Sequence, residues 1–132
     1  IDLGCHIDGY IAQAAHTIVV SNEPSKKVTG KTADVILAAH NAMLATQRMF
    51  KQAGKNTDIT ETIAKICEEF DVTPCESVFS HKMKKHLIDG SDVIAMKHVP
   101  EQKIKDYEFT PGDVFALDIV VTSGTGKPKE GE

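Results

Sequence analysis

The chain holds 132 residues, 41% of them hydrophobic and 26% charged, with a formal net charge of -4. That length and apolar content suit one buried core, so residues 1–132 are expected to be a single domain or part of one. The mild acidic balance gives the whole chain no pull toward nucleic acid or an anionic membrane, and no apolar run approaches a membrane span.

The chain opens on Ile1 in what reads as a strand, with no signal-like segment, so an excised piece of a longer protein is expected. Residues 1–7 and 10–18 flank Asp8-Gly9, the strongest short hairpin signal, because a type I′ turn needs positive φ at both central residues. With a two-residue loop, Ile7 faces Tyr10 and partner numbers sum to seventeen. Side chains alternate between faces. Leu3, Cys5, Ile7, Tyr10, Ala12 and Ala14 form a packing face, expected to lie against helices. Asp2, Gly4, His6, Ile11, Gln13 and Ala15 form the other, on which Asp2 and Gln13 are diagonal neighbours.

Residues 21–30 are polar and read as a loop. From about 31 to 53 the pattern is helical, with Val35, Ala39, Ala42 and Met49 beside Ile36, Met43 and Phe50 making a wide apolar face. Gly54 stands where a left-handed terminal residue belongs. A second helix is expected from about 58 to 70, carrying Ile59, Ile63, Ile66, Cys67 and Phe70, with Asp58 and Glu61 as a capping box. Both stripes read as ordinary core. The helices are expected to meet the hairpin through Ile36, Met43, Ile63 and Phe70.

Residues 72–79, with Pro74, read as an irregular or edge strand. Ser80-His81-Lys82-Met83-Lys84-Lys85-His86 is a basic cluster, more readily a solvated surface loop than a phosphate site. Asp89-Gly90 marks a turn and residues 93–96 a short strand. Residues 98–108 read as loop. Residues 114–121 form the most apolar run, with Asp118 alone inside it, and residues 122–132 read as a loop tail. Cys5, Cys67 and Cys75, odd in number and scattered, suit a reducing compartment and apolar packing.

Asp2, His81 and Asp118 are polar residues in or beside segments that should be buried. A carboxylate in such a run costs several kcal/mol unless paired, hydrogen-bonded or metal-bound. Two strand carboxylates and an imidazole suit a transition metal, but a structural polar cluster explains them equally well.

The order of hairpin, two helices, His81 segment and Asp118 strand resembles the methionine aminopeptidase-like family of pita-bread fold, an α/β (α+β) architecture of curved antiparallel sheet with helices on its outer face. The stretches that carry the resemblance are Ile1-Asp2-Leu3-Gly4 through Ala12, Ala15-His16-Thr17, and Val28-Thr29-Gly30-Lys31 through Ile36. Ser80-His81 through Gly90 and Phe115-Ala116-Leu117-Asp118 through Lys127 continue it. Within the family the chain is most similar to the non-peptidase branch, the proliferation-associated or ErbB-binding proteins, and looks like the middle third of one.

The resemblance implies site positions. Peptidases of this fold hold two divalent ions with two Asp, one His and two Glu. The first Asp falls on Asp2, the second on Gln13, the His on His81 and the first Glu on Asp118; the last lies beyond Glu132. Peptidases place glycine before that histidine, where this chain has Ser80. A neutral amide at Gln13 cannot bridge two cations. The expectation is therefore an inactive homologue with no catalytic residues, no metal or other cofactor and no small-molecule substrate. By the resemblance it would be a growth-regulating adaptor associated with RNA, ribosomal particles and regulatory proteins, in cytoplasm and nucleus or nucleolus, with no membrane partner. Lys82, Lys84 and Lys85, with His86 beside them, are the local nucleic-acid candidates. The alternative is a working metal-dependent methionine aminopeptidase with an altered ligand set.

Overall fold

The computed structural model describes residues 1–129, so the Glu130-to-Glu132 end of the expected loop tail lies outside the described residues. Two strands lead: β1 (Asp2–Ile7) and β2 (Tyr10–Ala15). They pair antiparallel in the expected register, from Asp2 opposite Ala15 to Ile7 opposite Tyr10. Asp8 (φ 50) and Gly9 (φ 81) make the left-handed turn between them. Residues 16–30 then run as exposed, irregular chain.

Helix α1 (Lys31–Met49) and helix α2 (Asn56–Glu69) follow. The first ends four residues before the expected Ala53, and the left-handed residue past it is Ala53 (φ 64) instead of Gly54. The second starts two residues early. Its N-cap is Lys55 and no side chain caps it, so the expected Asp58 and Glu61 capping box does not form. Asn56, fully buried at 1% exposure, instead spends its amide on distant backbone: Nδ2 donates to Lys105 O (3.0 Å) and Val93 O (3.3 Å), and Oδ1 accepts from Tyr107 N (3.1 Å).

The helices pack on each other and on short strands. These are β3 (Thr73–Pro74), β4 (Phe79–Met83), β5 (Val93–Ala95), β6 (Val114–Ala116) and β7 (Val121–Thr122). All pairings are antiparallel: β3 with β7, and a three-stranded sheet in the order β5-β4-β6. Ala38 and Ala42 of α1, Ile59, Ile63 and Cys67 of α2, and Ile94, Met96 and Phe109 form the buried centre. Completely burying Ile59 and Ile63 is worth about 1.5–3 kcal/mol each. The α1 stripe is Ala38, Ala42 and Thr46, narrower than the one expected from the larger side chains, because alanines let α2 approach closely. Burial pushes the Cys67 thiol up to about 11, in keeping with a packing role.

Two expectations fail. The hairpin does not lie against the helices: Leu3, Ile7 and Tyr10 are 67%, 81% and 68% exposed, and α2 packs instead on β3 and β5. The apolar run 114–121 is not one strand either. It breaks after Ala116 and resumes at Val121 in another sheet, leaving Asp118 exposed in the gap instead of buried in a strand.

Candidate functional site

The residues singled out by sequence lie on three elements. The hairpin contributes Asp2 and Gln13. Gln13 lies opposite Gly4 and Asp2 opposite Ala15, so the two share a face diagonally as the register demands. Strand β4 contributes His81, and the gap between β6 and β7 contributes Asp118.

Strand β4 begins at Phe79, at the end of the expected edge strand, and runs on into the basic cluster expected as a surface loop. Its pleat puts His81 and Met83 on one face. Met83 Sδ accepts a long contact from Gln13 Nε2 at 3.9 Å, which ties the hairpin face to the His81 face. His81 Nδ1 donates to Gly90 O at 3.1 Å. A carbonyl only accepts, so this bond requires the proton on Nδ1 and leaves the Nε2 lone pair of the neutral ring free. Gly90 also donates to Lys82 O (3.1 Å), and a Cβ there would collide with that carbonyl. Only glycine brings the returning chain close enough to orient His81.

Asp118 is fixed through its backbone. Its N–H donates to Ser80 Oγ (2.9 Å), and the hydroxyl returns a long bond to Asp118 O (3.5 Å). Ser80 is 1% exposed and supplies hydrogen bonds that the interrupted strand lacks. The Asp118 carboxyl is pushed above the usual carboxylate range, chiefly by partial desolvation and then by the negative charge of Asp2, with His81 opposing. The charges of Asp2 and His81 both reach Asp118, and Gln13 meets Met83 on the His81 face of β4.

The donors among the described residues do not by themselves make up a two-ion centre. Gln13 offers a neutral amide already turned to a thioether, and among the described residues no three His, Cys, Asp or Glu side chains gather closely enough to hold a metal ion.

The basic cluster divides on folding. Lys82 ion-pairs with Asp113 (2.8 Å) and Asp92 (3.5 Å), and its side chain is only 23% exposed. Lys85 pairs with Asp8 (3.0 Å) and lies over the Tyr10 ring, 4.9 Å from its centre. Lys84 is exposed and makes no ion pair among the described residues. Sequence reasoning missed the Ser80–Asp118 and Gln13–Met83 contacts. The alternation of His81 and Met83 was a signal for the second; nothing local announced the first.

Comparison with known proteins extends these observations. The profile of metallopeptidase family M24 matches residues 1–131. Proliferation-associated protein A of Dictyostelium discoideum is 46% identical over 130 residues, 98% of this chain and 34% of that protein. The Arabidopsis thaliana protein named ERBB-3 binding protein 1 is 43% identical, over 98% of this chain and 32% of its own length. A methionine aminopeptidase of Thermococcus onnurineus stands at 25% identity, over 96% of this chain and 39% of the enzyme. The chain thus spans about a third of the length of these relatives. A solved structure of a thermophilic Arx1 superposes with a TM-score of 0.82 at 24% identity, covering 99% of this chain and 41% of the other. That likeness bears out the fold, the pita-bread architecture of antiparallel sheet and packed helices.

Proposed function

The chain belongs to metallopeptidase family M24, and on that premise we propose that it acts as a non-catalytic member of the family. It forms part of a single aminopeptidase-like domain in a regulatory adaptor of cell growth, which associates with RNA or ribosomal particles and with regulatory proteins in cytoplasm and nucleus. The observation that carries this reading is Gln13. By the resemblance it falls where the peptidase pattern has its second Asp, and its amide is turned to Met83 Sδ. A dinuclear centre needs bridging negative charge to hold two cations a few Å apart, and an amide supplies none.

The relatives' names favour the same side. The two more similar proteins are named for proliferation and for ErbB-3 binding, and the named aminopeptidase is more distant. Asp2, Gln13, His81 and Asp118 then persist as polar residues, with Asp2, Gln13 and Asp118 open to solvent and His81 and Asp118 anchored by Gly90 and Ser80. RNA association rests on Lys84 and, in part, Lys85, since Lys82 is committed to Asp113 and Asp92.

The test is metal content and cleavage of a methionyl peptide, measured on the complete protein equilibrated with Mn and Co. Substoichiometric metal and no cleavage are expected. Two tightly held ions with turnover would overturn the reading in favour of the enzyme.

A further inference from the structure

Between the hairpin tip and the ends of β4 and β6 lies an open cleft of about 370 Å³. Tyr10, Ile11, Met83 and Val114 give it apolar walls, and Lys84 and Lys85 stand at its rim. Tyr10 is 68% and Val114 54% exposed, so the described residues themselves leave this apolar lining uncovered. Gly112 leaves open backbone along it, while the His86 ring covers Gly9. The tip is held to β4 by His86 N–H donating to Gly9 O (2.9 Å) and by the Lys85–Asp8 pair (3.0 Å). The cleft is thus braced at its mouth.

We propose that this cleft is a docking site for an acidic peptide segment that inserts a bulky apolar side chain and presents adjacent carboxylates to Lys84 and Lys85. The inference deepens the adaptor reading, and rests on it, by naming the chemistry of a protein partner. Charge complementarity sets the sign. Asp8, its own side chain 78% exposed, offsets the charge of Lys85 only in part, while Lys84 has no carboxylate of its own among the described residues. The walls set the anchor. Met83 is unbranched and polarizable and adapts to irregular aliphatic or aromatic shapes, and Ile11 and Val114 ask for no hydrogen bonds. A nucleobase would leave its polar edges against those walls unread, and the ring of Tyr10 already carries the Lys85 ammonium. A peptide side chain is therefore favoured over a base.

The probe is a labelled peptide, Gly-Phe-Leu-Glu-Glu-Gly, titrated into the complete protein. It is read by anisotropy and by methyl NMR of Ile11, Met83 and Val114. A Gln-for-Glu peptide and a single-stranded oligouridylate serve as comparisons. The expected result is shifts at those three methyls with the acidic peptide. Affinity should fall about fivefold for the Gln peptide and for a Lys84→Glu variant, the size of one or two exposed ion pairs. Val114→Glu, at an exposed position, should abolish the shifts. Equal binding of the acidic and Gln peptides, unchanged methyls, or shifts with oligouridylate instead of peptide would each overturn the proposal. None of these readouts depends on metal content or cleavage, so the cleft and the non-catalytic reading fail separately.

Discussion

The Asp118 N–H donates to the Ser80 hydroxyl at 2.9 Å, across the gap that divides the apolar run 114–121. The bond lets the chain leave one sheet at Ala116 and enter another at Val121 without abandoning a backbone donor. Ser80→Ala removes the acceptor while keeping the packing, so it should cost about 1–2 kcal/mol in urea unfolding of the complete protein. Ser80→Gly, which restores the residue of the peptidase pattern, should cost at least as much. An unchanged midpoint in both variants would show that water serves Asp118 equally well.

Asn56 is the second buried polar anchor. It joins the start of α2 to Val93, Lys105 and Tyr107 with three hydrogen bonds. Asn56→Ala strands two carbonyls and an N–H and should destabilise by about 3 kcal/mol, more than any exposed α2 substitution. Amide exchange should quicken first at Tyr107, whose N–H loses its acceptor.

These two anchors mark where sequence reading stops. The hairpin's turn and register were legible, because Asp8-Gly9 fixes both locally, although the second strand stops at Ala15 and not at residue 18. The α2 stripe was legible because Ile59, Ile63 and Cys67 repeat with the helix. Asn56 fell just before the expected helix and drew no reading, because its partners lie 37 to 51 positions away. The break at Leu117 was hidden by the opposite fault: eight residues of strand-forming character read as one strand, and only Ser80, 38 positions off, makes the interruption tolerable. Packing of the helices on the hairpin was wrong for a similar reason. Periodicity gives the faces of two elements but not which faces meet.

Asp113 should limit stability in acid. Lys82 donates to its carboxylate and Thr110 N–H adds a further bond, holding it below the usual carboxylate range. A group whose folded value is depressed stabilises above its unfolded value, ordinarily 3.8, and loses that contribution as pH falls through the folded value. Asp113→Asn should cost about 0.5–1 kcal/mol at neutral pH and converge with the parent at the acid end. Urea midpoints taken across the acid range give the comparison. A difference independent of pH would assign the effect to packing.

The proposed RNA association is tested by its salt dependence. Replacing Lys84 with Ala should reduce the slope of log affinity for RNA against log salt by about 0.7–0.9. Lys85→Ala should reduce it less, because that ammonium is shared with Asp8 and Tyr10. Lys82→Ala should leave the slope intact while lowering stability, since two aspartates already hold that charge. A slope indifferent to Lys84 would remove the cluster from any account of RNA binding.

The last prediction concerns Gln13→Asp. If a single amide were the only obstacle to a metal centre, one substitution would restore two-ion binding. The surroundings argue otherwise. Gln13 Nε2 is turned to Met83 Sδ, so a carboxylate there would face a thioether with no N–H to accept. It would also add a negative charge diagonal to Asp2, which together with desolvation already pushes the Asp118 carboxyl up. Asp118 is shorter by a methylene than the Glu of the peptidase pattern, and Ser80 anchors its backbone, so it cannot advance to make up the reach. The variant should therefore bind one divalent ion weakly, with no second ion and no cleavage of a methionyl peptide. Pairing it with Met83→Gly and Asp118→Glu, which open the space and restore the reach, should strengthen metal uptake beyond the single change. Isothermal titration with Mn and Co decides it: two tight equivalents on Gln13→Asp alone would make the amide the whole difference between this chain and a peptidase.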